Sequence, residues 1–151
     1  MNDPARHKLQ AVLFVCSMNS VRSPIAEGLA RLRYGKRIYV DSAGLTKSTR
    51  DGFALAVLRE VGVEFESDEP ATLDEIDCEA FDLVIALSPE AHRRAAELLR
   101  ATAVELLYWP IEDATQVSGS REQRIEAFRR VRDLIDRNLR EEIGGRLKSA
   151  P

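Results

Sequence analysis

The chain has two cysteines and one tryptophan in 151 residues, four lysines against eighteen arginines, two histidines, and no long apolar run. Each shortage excludes something. Two thiols are too few for the disulfide framework of a small secreted domain, so in a reducing compartment each cysteine is either packing or chemistry. No stretch approaches the roughly 20 apolar residues of a membrane span, and the opening MNDPARHKLQ lacks the apolar core of a signal peptide; a cytoplasmic protein with no membrane contact is expected. A net charge of −3 offers no basic field for nucleic acid. His7 and His92 lack metal-ligand company, so neither a metal nor another cofactor is expected.

What is present is an alternation of apolar runs with helical patterns. Ala11 to Val15 (AVLFV) is an unbroken apolar run, as in a strand buried on both faces of a parallel sheet. Ile25, Leu29 and Leu32 then repeat at helical spacing. Ile38 to Val40 reads as a second strand before Ser42-Ala43-Gly44, and Phe53, Ala56, Val57 and Val61 mark a helix closed by Gly62. Thr72-Leu73-Asp74-Glu75 has capping-box spacing and predicts a short helical turn. Asp82 to Leu87 is a third strand, with Ser88-Pro89 opening a helix to about Leu99. Val104 to Tyr108 is a fourth, and Ile125, Phe128, Val131, Ile135 and Leu139 stripe a long C-terminal helix. The pattern predicts one α/β domain over 1–151, a three-layer sandwich whose four-stranded parallel sheet is flanked by helices, with fraying up to about Lys8 and from about Gly145.

In such sheets ligands bind beyond the carboxyl ends of the strands, where the strand order reverses. Cys16 ends the first strand at that edge, and the loop VCSMNSVRSP follows. If Ser17, Met18, Asn19, Ser20 and Val21 curl so that their amides face one point, and the helix from Pro24 adds its own N-terminal amides, the result is a nest for an anion. Ser23 suits the N-cap and Pro24 the first helical position. Arg22 closes the nest with a planar fork that matches two oxygens of a tetrahedral oxyanion. The same field favours sulfur's anionic form, which makes Cys16 a nucleophile for in-line attack on phosphorus. The C-x5-R spacing carries little by itself in so arginine-rich a chain. The order strand, Cys, polar loop with Asn, Arg, Ser, Pro, amphipathic helix carries much more.

These residues resemble the low-molecular-weight protein tyrosine phosphatases and the arsenate reductases that share their fold. VLFVCSMNSVRSPIAEGL is similar to the family's first strand, phosphate loop and first helix. Asp41-Ser42-Ala43-Gly44 resembles its second-strand turn, Phe81-Asp82-Leu83-Val84-Ile85 its third strand, and Trp109-Pro110-Ile111-Glu112-Asp113 its acid loop. The resemblance implies that Cys16 is the nucleophile, Arg22 the oxyanion clamp and Asp113 the acid that protonates the leaving oxygen and then activates water. It further implies that Asn19 shapes the loop, Ser23 bonds the thiolate and Ser42 supports the loop from behind. Asp113 also follows the fourth strand, at the same sheet edge as Cys16. The implied function is hydrolysis of phosphate monoesters, phosphotyrosine in proteins or a small ester, through a phosphocysteine. Phosphate, arsenate or sulfate would occupy the loop, and the protein would be a monomer or weak dimer.

The chain departs from the family pattern in several places. Met18 stands where glycine is usual, and Val21 replaces a second loop cysteine, which predicts irreversible inactivation by peroxide because no vicinal disulfide can form. Asp68 stands where many relatives have a loop-orienting histidine. Ala114 follows Asp113, and Leu45 to Arg50 contains no aromatic residue, so the walls expected around a phosphotyrosine ring are missing. Arsenate reduction is the nearest rival. Relatives with an internal thiol relay place cysteines after the third strand, where this chain has Ser88, Pro89 and His92, and Cys78 precedes that strand, about 20 Å of strand away from the Cys16 edge. A reductase built on this chain needs an external thiol such as glutathione. A third reading is a protein that binds oxyanions or phosphoproteins without turnover.

Overall fold

The alternation of buried strands and one-sided helices produces a four-stranded parallel sheet in the computed structural model, which describes residues 8–65 and 69–149. The strands are β1 (Ala11–Cys16), β2 (Tyr39–Gly44), β3 (Leu83–Ala86) and β4 (Glu105–Tyr108); the helices are α1 (Arg22–Tyr34), α2 (Gly52–Arg59), α3 (Pro89–Leu98) and α4 (Arg121–Ser149). Strand order is β2-β1-β3-β4. The chain therefore leaves β1 toward one side for β2 and returns to its other side for β3, so the order reverses at β1, whose carboxyl end carries Cys16. Among the described residues the remaining short elements are single 3₁₀ turns at Leu73–Glu75, Cys78–Ala80 and Ala114–Gln116.

Strand residues alternate between two cores because successive side chains point to opposite faces. Val12, Phe14, Leu83 and Ile85 pack with Ile25 and Leu29 of α1, Leu58 of α2, and Phe128, Val131, Ile135 and Leu139 of α4. Leu13, Val15, Val84 and Ala86 face the other way, onto Ala91 and Ala95 of α3 and onto Leu73 and Phe81. The result is the expected helix, sheet, helix layering. Arg33 clasps Asp136 with two bonds of 2.6 and 2.8 Å, fastening α1 to α4.

Several boundaries differ from the sequence reading. β2 does not end at Val40; it continues to Gly44 because Phe14, Val15 and Cys16 pair with Ser42, Ala43 and Gly44. The supposed turn is therefore strand. α2 stops at Arg59, leaving Val61 exposed, because Gly62 turns at φ +84° and lets the Val63 amide bond the Leu58 carbonyl at 3.0 Å. α4 runs on past Gly145 to Ser149, and burial of Ile143 and Leu147 prolongs its apolar stripe. The Thr72 turn forms as expected, with the Thr72 amide and hydroxyl both donating to Glu75. His7 and Asp68 lie outside the described residues.

Candidate active site

Past the end of β1, the loop from Cys16 to Arg22 is shaped from behind by the segment that follows β2. The Leu45 amide donates to the carbonyls of Cys16 and Ser17 at 3.2 and 2.9 Å, Thr46 to Ser17 at 3.0 Å, Ser48 to Met18 at 3.2 Å and Asp51 to Ser20 at 2.9 Å. A trans peptide is planar, so its N–H points away from its C=O. Tying four carbonyls outward therefore turns the amides of Ser17, Met18, Asn19 and Val21 the other way, toward the cleft that Ser17, Met18, Ser20 and Val21 line. Gly44 makes this approach possible. A Cβ there would lie 2.5 Å from the Asn19 nitrogen, 2.5 Å from the Thr46 oxygen and 2.6 Å from the Met18 carbonyl carbon.

Asn19 sits at φ 54°, the left-handed conformation that asparagine tolerates. Its side chain is nearly buried and fully engaged: Nδ2 donates to Ser23 at 2.9 Å and to Ser42 at 3.0 Å, while Oδ1 accepts from the Ala71 amide at 3.0 Å. Ser23 Oγ lies 2.9 Å from Cys16 Sγ. Because Asn19 donates to that hydroxyl, its single hydrogen is left for the sulfur or for the Ala43 carbonyl 3.3 Å away. Ser42 in turn donates to buried Glu27, which pairs with Arg31 at 2.7 Å and Arg50 at 3.6 Å. Arg50 stacks on Phe65 at 4.0 Å. A continuous buried chain thus runs from Cys16 through Ser23, Asn19 and Ser42 to Glu27.

One expected detail is corrected. Ser23 is not the N-cap of α1: the helix starts at Arg22 behind Val21, with no side-chain cap, and places Ser23 and Pro24 within its first turn. The serine hydroxyl serves the sulfur instead. By contrast, Asp51 caps α2 and Ser88 caps α3. The first amides of α1, which no side chain caps, are thereby left, with the positive end of its dipole, to whatever occupies the cleft.

The cleft has a volume of about 340 Å³ and is lined by Cys16, Ser17, Met18, Ser20, Val21, Arg22, Pro89, Glu90, Asp113 and Thr115. Arg22 commits one N–H to the Ile111 carbonyl at 3.0 Å, which draws its guanidinium toward the stretch ending at Asp113. Burial pushes the Asp113 carboxyl upward, but the Thr115 hydroxyl at 2.6 Å, the Thr115 amide at 3.0 Å and the Arg22 charge together hold it below the ordinary aspartate range. Ser17 donates to Ser88 at 3.0 Å. Met18 is half exposed and lies along the cleft, and no aromatic residue lines it.

All the residues singled out from the loop, with Ser42 and Asp113, come together at this sheet edge. Cys78 does not: it precedes β3, at the opposite edge, and burial with Asp77 and Asp74 pushes its thiol upward. His92 stacks on Tyr108 at 4.9 Å, and no cluster of metal-ligating side chains occurs among the described residues. Glu27, Gly44, Glu90 and Thr115 escaped the sequence reading. For Glu27 a signal existed: an acid between Ala26 and Gly28 in an apolar helix, one turn from Ser23 and one turn before Arg31.

The low molecular weight phosphotyrosine protein phosphatase model matches residues 11–148. An arsenate reductase of Halalkalibacterium halodurans is 30% identical over 133 residues, 87% of this chain and 93% of the relative. A glutaredoxin arsenate reductase of Synechocystis sp. is 30% identical over 127 residues, 84% and 91% respectively. Among solved structures, an arsenate reductase in its phosphate-binding state superposes with a TM-score of 0.76 at 28% identity, covering 91% of this chain and 98% of its own. The match across nearly all the described strands and helices establishes that this chain belongs to the low molecular weight phosphotyrosine protein phosphatase family.

Proposed function

We propose that the protein is a cysteine-dependent phosphatase of phosphate monoesters. The observation that carries this reading is the meeting, in one cleft, of Cys16, Arg22 and Asp113 with the uncapped amides of α1. The sulfur, as thiolate held by Ser23, attacks phosphorus in line; the S–P bond forms as the ester P–O bond breaks. Arg22 and the inward amides hold the equatorial oxygens, whose charge is greatest in the transition state. Asp113 gives its proton to the leaving oxygen. Water then attacks the phosphocysteine, Asp113 accepts the water proton, and inorganic phosphate leaves with the thiolate restored. A lining without aromatic rings supports a broad range of esters over phosphotyrosine alone. The need for a reduced Cys16 supports a cytoplasmic setting.

The curated relatives favour a second reading, arsenate reduction. Cys16 would form an S–As bond with loss of water, and a second thiol would attack that sulfur, leaving a disulfide and arsenite as two electrons pass to arsenic. With Ser88 behind the loop and Cys78 at the far edge, the second thiol must come from outside, glutathione or a glutaredoxin. Assay of the reduced protein near pH 6 with para-nitrophenyl phosphate decides between the readings. Turnover that Cys16→Ser abolishes supports the phosphatase. Silence there, with arsenate reduction appearing on addition of glutathione and glutaredoxin, transfers the conclusion to the reductase.

A further inference from the structure

Beyond the anion nest, the rim of the cleft carries a carboxylate that the chemistry above does not use. Glu90 lies in the first turn of α3 and lines the cleft with Cys16 and Arg22. Among the described residues its carboxylate accepts one hydrogen bond, from the Ser17 hydroxyl at a long 3.5 Å, and that hydroxyl is better placed to Ser88 at 3.0 Å. Acids elsewhere in this arginine-rich chain are repeatedly matched: Glu60 with Arg129 and Arg132, Glu105 and Glu142 with Arg146, Asp136 with Arg33 and Arg140. Glu90 even has an arginine one turn on at the favourable i+4 position. Arg94, however, turns to Asp74 at 3.3 Å and Glu97 at 3.2 Å, and among the described residues no ion pair reaches Glu90. The other rim acid, Asp113, already accepts two bonds from Thr115.

We propose that Glu90 is a specificity-determining residue that selects oxyanion esters carrying a positive charge on the group attached to the ester oxygen. This rests on the reading that the cleft takes a phosphate ester. The nest and Arg22 hold the phosphate, and the substituent leaves the cleft past Glu90. A cationic substituent, whether a basic side chain beside a phosphorylated residue or the ammonium of a small ester, meets there an exposed carboxylate that no cationic side chain among the described residues pairs with. An anionic one is repelled. The preference is electrostatic and partly solvated, so it is modest and screened by salt.

The test is calorimetric binding of two phosphonates that cannot be hydrolysed, 4-(trimethylammonio)benzylphosphonate and 4-tert-butylbenzylphosphonate, which match in shape and differ in one charge. The expected result is about three- to fivefold tighter binding of the cationic ligand, falling toward equality in Glu90→Gln, reversing in Glu90→Lys, and shrinking as salt rises from about 20 to 500 mM. Phosphotyrosine-mimetic peptides with lysine or glutamine beside the phosphonate separate the two sources. A preference seen with the peptides assigns a protein substrate, and one confined to the small pair assigns a small ester. Equal binding by the wild type, or a preference that survives in Glu90→Gln, overturns the proposal. Because no turnover is measured, a failed phosphatase assay leaves this result standing and separately readable.

Discussion

Asp113 poses the sharpest question at the scale of single residues. An acid must carry a proton when the leaving oxygen departs, yet Thr115 and Arg22 hold this carboxyl below the usual range in the unliganded protein. The free protein therefore presents a carboxylate at neutral pH, and on the proposed phosphatase reading the reacting proton enters with the ester as its monoanion and reaches the leaving oxygen through Asp113. kcat/KM should fall as pH rises through the second ionisation of the phosphate, about pH 6, and the limb should shift when an ester with a different second pKa is used. A limb that stays put would assign the proton to Asp113 alone. Asp113→Ala should lower kcat for para-nitrophenyl phosphate by about 10²-fold, within the usual range for a general acid. The loss should be larger for phenyl phosphate, whose leaving group needs the proton more. Equal losses for the two esters would remove the acid role.

Elements matter here through what they do to the loop. The end of β2 approaches the Cys16 loop so closely that Gly44 has backbone on two sides of its missing Cβ. Backbone cannot swing aside as a flexible side chain can. Gly44→Ala should destabilise the fold by about 1–3 kcal/mol through overpacking and weaken phosphate binding at least tenfold, measured by urea unfolding and calorimetry; unchanged binding would show that the loop keeps its shape without this contact. At the other end of the same face, Glu60 after α2 takes bonds from Arg129 and Arg132 of α4, and the Arg129 bond, the largest cause, brings its carboxyl down to about 2. A depressed folded-state pKa contributes stability above the unfolded value and loses it as pH falls through the folded one. The pair is a third exposed, so after allowing for solvent screening it contributes about 1 kcal/mol or less. Glu60→Gln should lower Tm by about 2–4 °C at pH 6, and the gap should close as pH falls from about 4.5 toward about 2. A gap of constant size across that window would assign the effect to packing.

The whole molecule sets where its two sulfurs lie. Parallel strands all direct their carboxyl ends to one edge, so Cys16, closing β1, and Cys78, preceding β3, lie at opposite edges of the sheet. Val21 and Ser88 occupy the places near Cys16 where a partner thiol would help, and both cysteines are free. An oxidised Cys16 has no internal thiol with which to form a protective disulfide, so brief peroxide treatment should abolish turnover, and dithiothreitol should restore little of it once sulfinic acid forms. Bound phosphate should protect. Full recovery would reveal a partner thiol or another reversible cap. The cleft gathers Cys16, Arg22, Glu90 and Asp113 at one edge, while Cys78 stands partly buried at the other.

The sequence by itself determined the strands and helices of the parallel sheet, to within a few residues at some ends, and the sheet edge that carries Cys16 and Arg22, while Asp113 was singled out through the family resemblance. These rest on short-range signals: apolar runs, helical spacing, caps, and a loop motif contiguous in the chain. The motif read Ser23 as a cap and missed its use beside the sulfur, because a hydroxyl's partner is chosen by what folds next to it. Only the tertiary structure decided that Gly44 is needed by the backbone of a loop 25 residues earlier, that Glu27 anchors the Asn19 and Ser42 bonds, and that Arg94 turns from Glu90 to Asp74. Each depends on residues brought together across the fold, where burial, exclusion of volume and competition for a charge are settled by neighbours that sequence spacing does not name.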